Sequence, residues 1–239
     1  NNFANMPSVV AEGRRVINNI ERSAALYLTK NIFSFTFALV SLIFTLPFPV
    51  TSAQMSLISA LTIGVPSFVL AMEPNNSMIQ GRFLPNVIYR AFPGGITDFL
   101  LVLGVVLFST VFEMGENIMG TVCTLVINIV GLIIVHRMCL PYNLLRKALM
   151  VVLCAAFIVC VVFLPELFSL TNIDAGGTLV LIVFILLAWP VLKAVTIAEE
   201  RVCASFRGLK KPGRHSKPAP PQTRQKPKKP GIKLISRRK

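Results

Sequence analysis

Six long apolar segments constrain this sequence more than any other feature, because segments of this length belong in a lipid bilayer. They run approximately over residues 24–46, 53–72, 95–112, 118–135, 146–164 and 177–195. At a rise of about 1.5 Å per residue, such helices cross roughly 30 Å of hydrocarbon. The 239-residue chain is 54% hydrophobic and 14% charged, which is too apolar for a soluble domain. We therefore predict an all-α fold, a polytopic transmembrane bundle of six spans.

Positive charge falls on alternate loops between these segments. One set of loops carries the basic residues Arg82, Arg90, Arg137, Arg146 and Lys147. The other loops, at residues 47–52, 113–117 and 165–176, contain no Lys or Arg. Because Lys and Arg are enriched in cytoplasmic loops, the pattern predicts an integral membrane protein with both termini in the cytoplasm. We expect it in the plasma membrane.

The two ends of the chain differ from the spans. Residues 1–23 place apolar residues at helical spacing among polar ones, which predicts a helix that continues into the first span. Residues 201–239 are predicted to form a disordered, basic cytoplasmic tail, since 13 of the 24 Lys and Arg lie in residues 207–239 without any acidic residue. We expect the tail to rest on anionic lipid, and not to bind nucleic acid, because no aromatic residues are interleaved for stacking. The first residue is Asn rather than Met, which indicates a segment of a longer protein.

The second segment, Gln54–Asn75 (QMSLISALTIGVPSFVLAMEPN), has more polar and helix-breaking residues than a lipid anchor needs. Pro66 has no N–H, so the carbonyl of Thr62 loses its helical partner, and Gly64 lets the backbone depart from the helix. In hydrocarbon, freed backbone groups persist only where they are buried in protein or face a wet cavity. Transporters hold ions at such interrupted helices. The pattern predicts an ion site at a helix unwound near Thr62–Pro66; the alternative is a proline kink that only shapes packing.

Polar side chains are concentrated in the first two spans, whereas the fifth and sixth are almost continuously apolar. Intramembrane polar and ionisable residues are costly and usually functional, which places the predicted function in the first hairpin. Lys30 in the first span has a second interpretation. Only about six residues separate it from the cytoplasmic edge, a distance over which a lysine can snorkel.

The sequence contains no motif for covalent chemistry. It has no GxxxxGK[ST], GxGxxG, HExxH or GxSxG pattern, and no nucleophile–base pair involves His136 or His215. The five cysteines form no CxxC pair, so we expect them to pack as small apolar side chains rather than in disulfides or a metal site. We therefore expect no catalytic residue, no cofactor and no metal beyond a transported cation in this chain.

The first 75 residues resemble a known family. Asn1–Arg22 (NNFANMPSVVAEGRRVINNIER), leading into a long span, resembles the end of the phosphorylation domain and the fifth-helix stalk of a P-type cation-transporting ATPase. Gln54–Asn75, with its TIGVP core, resembles the sixth helix of those pumps, in particular of the bacterial calcium-pump-like subgroup. The resemblance covers about residues 1–200. It implies that residues 1–23 are the domain end and stalk, that residues 24–200 are membrane helices five to ten, and that the tail lies outside the family pattern.

The resemblance implies a pump that couples ATP hydrolysis, through an aspartyl-phosphate, to alternating access of a cation site. The expected cation is divalent, such as Ca²⁺, and Mg²⁺ and ATP are expected for the parent protein. The DKTGT motif, the nucleotide domain and the fourth helix are not in this sequence. The chain would then be a C-terminal membrane-domain fragment whose partner is the N-terminal part of the same pump. The implied ion-binding residues are Asn31, Ser34, Ser59, Thr62, Gly64 and Pro66, with Lys30 as a built-in counter-cation.

The sequence departs from the family at the implied ion site. Many calcium pumps have NxxTDGxP in the sixth helix, where Ser59 and Ile63 here replace the Asn and the Asp. We expect no carboxylate in the middle of the spans, because Glu73 and Asp98 are placed near the cytoplasmic edge. A hard dication prefers several oxygens, so its carboxylate is expected from the missing fourth helix.

Two other functions compete with a pump. The first is a non-catalytic membrane scaffold whose basic tail binds anionic lipid or a partner. The second is a six-span channel, which is disfavoured because no charged filter ring is visible.

Overall fold

The computed structural model describes residues 6–73, 78 and 82–209 of the chain, with side chains up to residue 204. Within these residues, six helices are long and apolar enough to cross a membrane. They are α1 (Met6–Phe44), α2 (Ser52–Met72), α3 (Phe83–Val111), α4 (Glu116–Met138), α5 (Leu144–Phe163) and α6 (Ala175–Leu209). The predicted all-α, six-span fold is confirmed, and the polar N-terminal segment continues into the first span as the single helix α1.

Two helix boundaries differ from the prediction. Helix α3 begins at Phe83 rather than near Gly95, because it runs through Pro93 without interruption. The hydroxyl of Thr97 donates a hydrogen bond of 2.6 Å to the carbonyl of Pro93. Helix α6 continues to Leu209, so residues 201–209 of the predicted tail are helical. The rest of that tail lies outside the described residues.

Helices α1 and α3 pack at very short distance because α3 carries two adjacent glycines. A Cβ on Gly95 would lie 2.7 Å from the Cβ of Ile32 and 2.8 Å from the carbonyl oxygen of Thr29. A Cβ on Gly94 would meet Thr29 and Ile134 at less than 3 Å. Any larger residue at these positions pushes the two helices apart. This contact fixes α3 against the part of α1 that carries Thr29 and Lys30.

Helix α4 forms the centre of the packing, and most of its side chains are buried. Its apolar residues join the core formed with α1, α2 and α3. Helices α5 and α6 expose most of their surface, as expected of spans that face lipid. By internal packing the chain divides into a unit from Asn1 to Arg201 and a unit from Val202, of which only the helical residues 202–209 are described.

The connections at the start of α2 are tied together by polar contacts. Thr51 and Gln54 form a capping box, in which each side chain accepts a hydrogen bond from the backbone N–H of the other residue. The amide of Gln54 also donates to the carbonyl of Ser169 over 3.0 Å. The hydroxyls of Thr121 and Thr171 lie 3.1 Å apart. The α1–α2 and α5–α6 connections therefore meet at one end of the bundle, next to the start of α4.

Candidate cation site

Helix α2 is widened at its middle but is not unwound. Ala60–Gly64 forms a π-helical turn, and the N–H of Val65 donates to the carbonyl of Ala60, five residues back. Gly64 keeps helical dihedral angles, with φ −60° and ψ −63°. The predicted unwinding near Thr62–Pro66 is therefore wrong, since a wider turn accommodates the missing N–H of Pro66. The Thr62 carbonyl still has no donor at α-helical spacing, and such π turns occur frequently at functional sites.

The ammonium of Lys30 contacts α2 rather than extending along α1 toward its polar N-terminal half. Its Nζ donates to the hydroxyl of Ser59 over 2.6 Å. That hydroxyl in turn donates to the carbonyl of Met55, also over 2.6 Å. Ser59 precedes the end of α2 at Met72 by 13 residues, which is about 20 Å along a helix. A snorkelling lysine would extend toward that end, so this contact does not correspond to snorkelling.

A narrow internal cavity lies beside this contact, where α1, α2, α3 and α4 meet. Its volume of about 20 Å³ holds a single water molecule or one dehydrated ion. The polar side chains in its wall are Thr29, Lys30, Thr62 and Asp98. Thr62 donates its hydroxyl proton to the carbonyl of Ile58 over 2.7 Å, which leaves the oxygen's lone pairs free to accept. The cavity therefore combines an ammonium, a carboxyl group and a hydroxyl oxygen within an apolar surround.

The expectation that no carboxylate lies in the middle of a span is wrong, because Asp98 does. It is in the middle of α3, is only 4% exposed and contributes to the same cavity as Thr62. Its Oδ1 has no hydrogen-bond partner in the part of the chain that the structure describes. The expectation failed because it began the third span near Gly95, and the additional turns from Phe83 place Asp98 well inside the helix.

The structure brings some of the predicted ion-binding residues together and separates others. Lys30 and Thr62 line the cavity, and Ser59 binds the Lys30 ammonium beside it. Pro66 is buried one turn beyond Thr62. Asn31 and Gly64 are exposed on the surface of the described bundle, and Ser34 is half-buried on α1. Glu73 is also nearly buried, at 4% exposure, but it lies beyond the end of α2 and outside the cavity.

Glu73 instead organises an ion-pair cluster at that end of α2. Arg146, at the start of α5, holds its carboxylate with three contacts of 2.8, 2.9 and 3.0 Å. Arg22 on α1 donates to it over 3.0 Å, and Asn143 donates to Oε1. The amide of Asn19 binds the backbone carbonyl of Glu73 at 3.1 Å. One carboxylate thus ties together α1, α2 and α5.

The ionised form of Glu73 is favoured by its partners. Burial on its own raises the pKa of the Glu73 carboxyl. The hydrogen bonds and charge of Arg146, together with the hydrogen bonds of Asn143 and Arg22, outweigh burial and hold the pKa below its ordinary value. The cluster therefore holds a charged carboxylate in place, whereas Oδ1 of Asp98 in the cavity has no partner among the described residues.

Curated proteins similar to this chain include several cation-transporting ATPases. The probable cation-transporting ATPase exp7 of Streptococcus pneumoniae is 30% identical over 180 residues, which is 72% of this chain and 23% of that protein. The calcium-transporting ATPase CtpE of Mycobacterium tuberculosis is 39% identical over 120 residues, which is 46% of this chain and 14% of that protein. The human potassium-transporting ATPase alpha chain 2 is 36% identical over 81 residues, which is 34% of this chain and 8% of that protein. The chain is a partial homologue of the P-type cation-transporting ATPases. No protein-family model matches it.

The P-type ATPase relationship concerns only part of each relative, because the chain spans less than a quarter of the length of the curated relatives cited. The expected resemblance to this family is confirmed, together with the integral membrane character. Asp98 was predicted to lie near the edge of the membrane, because the third span was expected to begin near Gly95 rather than at Phe83. The available signal was a lone acid embedded in an apolar segment, three residues after a glycine pair that allows close helix packing.

Proposed function

We propose that this chain is the membrane portion of an ATP-driven P-type cation pump, in which α1 and α2 act as the ion-binding fifth and sixth helices. The observation that carries this proposal is the cavity beside the π turn of α2, with Lys30, Thr62 and Asp98 in its wall. Structural spans that only pack against lipid have no need of ionisable groups in their interior, since each is costly there.

Each predicted site residue has a separate role in this proposal. The cation is held by the hydroxyl and carbonyl oxygens of Thr62, with Ser59 nearby, and Gly64 and Pro66 give α2 the backbone that exposes them. Lys30 acts as the built-in counter-cation that limits how many ions the site takes. Asn31 and Ser34 lie on surfaces of α1 that remain available to a helix supplied by the N-terminal part of the pump.

The remaining properties follow from the family. CtpE is named a calcium-transporting ATPase, so Ca²⁺ is the first cation to test, although other relatives are named for potassium or for cations in general. Mg²⁺ and ATP act on the parts of the pump outside this chain. The protein resides in the plasma membrane with both termini in the cytoplasm, as its loop charges predict.

A membrane scaffold explains these observations less well. Its function would depend on the basic tail, of which residues 210–239 lie outside the described part of the chain. A scaffold also leaves the contact of Lys30 with Ser59 and the buried Asp98 without a role.

The proposal is tested by transport in inside-out membrane vesicles that contain the intact pump, meaning this chain with the catalytic domains encoded in the same gene. Vesicles are expected to accumulate a cation, Ca²⁺ first, in an ATP-dependent manner. Thr62→Val and Ser59→Ala are expected to weaken the apparent cation affinity, about tenfold for Thr62→Val, because the first removes an oxygen ligand and the second removes the acceptor that holds the Lys30 ammonium. Thr110→Val is the matched control, since Thr110 is exposed near the end of α3.

Two results would contradict the proposal. The first is an upstream coding sequence without a DKTGT motif, combined with no ATP-dependent uptake of any cation. The second is phosphoenzyme formation by residues 1–239 alone, since this chain contains no phosphorylated Asp of the family motif.

A further inference from the structure

Asp98 occupies a position that is unfavourable for a carboxyl group without a partner. It is in the middle of α3, is only 4% exposed, and its Oδ1 accepts no hydrogen bond within the described residues. Transfer of an ionised carboxylate into an apolar interior is so costly that the group must be neutralised by a proton or by a cation. The position therefore requires a positive species that this structure does not supply to Oδ1.

The surroundings of Asp98 suit a small dehydrated cation. The cavity beside it has a volume of about 20 Å³, so it accepts one small ion and excludes a hydrated one. Thr62 lines the same cavity, and the proton of its hydroxyl is already donated to Ile58, so the oxygen keeps its lone pairs. Carboxylate and hydroxyl oxygens are ligands for hard cations, and both are present here on different helices.

The ammonium of Lys30 is bound to Ser59 and not to Asp98. The ammonium of Lys30 also borders the cavity, but it donates to Ser59 at 2.6 Å rather than neutralising Asp98 by direct contact. No group of three or more His, Cys, Asp or Glu residues converges anywhere in the described chain. Among the described residues, Asp98 is the one acidic side chain in this cavity wall.

We propose that Asp98 of α3 is a carboxylate ligand of a small cation bound in the cavity between α1, α2, α3 and α4. This inference rests on the proposed function, and it adds a ligand from a third helix to the pair of helices assigned there. Lys30 opposes the bound ion through its fixed positive charge. Because that repulsion scales with the ion's charge, removal of the ammonium improves divalent affinity by about the square of the factor for a monovalent ion.

The test measures cation binding to the purified intact protein in lipid nanodiscs by isothermal titration, with Ca²⁺, Mg²⁺, Mn²⁺, Na⁺ and K⁺ as separate probes. Asp98→Asn is expected to weaken binding of the probe that the wild type binds by about tenfold or more, since the contact to an ionised oxygen is lost. Lys30→Met is expected to strengthen it. Asp174→Asn is the matched control, because Asp174 caps α6 through Gly177 outside the cavity and Asn retains that acceptor.

The outcomes separate this inference from the proposed function. Wild-type binding that is unchanged in Asp98→Asn overturns the inference and leaves the pump intact. Wild-type protein that neither binds a probe nor transports a cation overturns both. If Asp98→Asn does not fold, the wild type is treated with a hydrophobic carbodiimide and the modified residue is mapped. Labelling of Asp98 that a saturating cation prevents supports the inference; labelling that no cation affects, or no labelling of Asp98, overturns it.

Discussion

Gly131 on α4 determines how closely that helix approaches the candidate cation site. A Cβ at this position would lie 2.4 Å from Cγ2 and 2.9 Å from Cβ of Thr62. Thr62 cannot move aside easily, because it is β-branched and its hydroxyl is bonded to Ile58. We expect Gly131→Ala to displace Thr62, to destabilise the protein by about 1–3 kcal/mol and to weaken cation affinity in the vesicle assay.

The control for Gly131→Ala is the same substitution at Gly13, where an added Cβ meets nothing within 4 Å. Gly13→Ala lies in the exposed part of α1 and is expected to leave affinity unchanged and to stabilise the helix slightly. Equal affinities for the wild type and Gly131→Ala would contradict the assignment of Thr62 as a ligand.

Glu73 provides a pH dependence with a defined sign. Its pKa is lower in the folded protein than the ordinary value, so its ionisation stabilises the fold. That contribution is complete above about pH 4.3, the ordinary pKa of a glutamate, and is lost as pH falls through the lower pKa of the folded state. We expect the melting temperature of the wild type to decline in acid, and that of Glu73→Gln to be lower at neutral pH and less dependent on acid.

Replacement of Arg146, the main partner of Glu73, is a second test of the ion-pair cluster. Arg146→Met leaves the buried Glu73 carboxylate with Arg22 as its remaining close cation, and we expect a loss of roughly 3 kcal/mol, measured as a lower melting temperature at neutral pH. Glu166→Gln is the control for Glu73→Gln, because Glu166 is exposed. A melting curve in acid that is equally steep for the wild type and Glu73→Gln would refute the role of this carboxylate.

At the scale of a helix, α2 differs from the other spans by its π turn, and Pro66 is the cause that we infer. The Pro66→Ala substitution supplies the N–H that the carbonyl of Thr62 lacks at α-helical spacing. We expect α2 to return to α-helical hydrogen bonding over Ala60–Gly64, so that this carbonyl is no longer available to an ion. The measurable results are slower amide hydrogen exchange in this turn and weaker apparent cation affinity.

Pro190→Ala on α6 is the matched control for the proline. Pro190 also lies inside a helix, but it is exposed and is not among the residues that line the cavity. Its replacement is expected to leave cation affinity unchanged. If Pro66→Ala transports with unchanged affinity, the proline only shapes packing, and the ion is held by other groups.

The number and approximate position of the spans were predictable from the sequence, because they depend only on the length of apolar sequence that a bilayer requires. Long apolar segments gave six spans, and the polar start of α1 was correctly continued into the first of them. The start of α3 was not predictable from hydropathy, because Pro93 and the glycine pair are residues that usually end a helix. In the structure the helix continues through them, and the two glycines pack against α1. The π turn has the same origin, since a missing N–H permits a break, a kink or a wider turn, and the neighbouring helices decide among these.

The residue types of the candidate site were predictable from the sequence, but their positions depended on how the helices pack. Lys30, Ser59 and Thr62 were identified because unusual residues in an apolar span are visible in the sequence. Asp98 was visible too, but its depth depended on where α3 begins. The exposure of Asn31 was not predictable, because adjacent residues on a helix point in directions about 100° apart and only packing selects which one faces inward.

At the scale of the whole molecule, polar contacts sort the connections between helices into two ends. Glu73, Asn143 and Arg146 join the α2–α3 and α4–α5 connections to the polar half of α1. Gln54 and Ser169 join the α1–α2 and α5–α6 connections at the other end. The basic loops lie at the first of these ends, so the charge pattern of the sequence and the folded contacts lead to one arrangement. From this charge bias we expect the Glu73 cluster to be cytoplasmic and the loops without Lys or Arg to face outward.

This orientation is tested by labelling with a membrane-impermeant maleimide after the five native cysteines are replaced. Single substitutions Glu116→Cys and Glu166→Cys are expected to react in intact cells, since both residues are exposed at the end that we assign to the outside. Met78→Cys and Leu144→Cys are also exposed, at 73% and 84%, but are expected to react only after permeabilisation. None of the four changes removes a Lys or Arg, so the charge bias that orients the protein is preserved. Labelling in the reverse pattern would invert the orientation, and labelling of both Glu116→Cys and Met78→Cys in intact cells would contradict α3 as a membrane span.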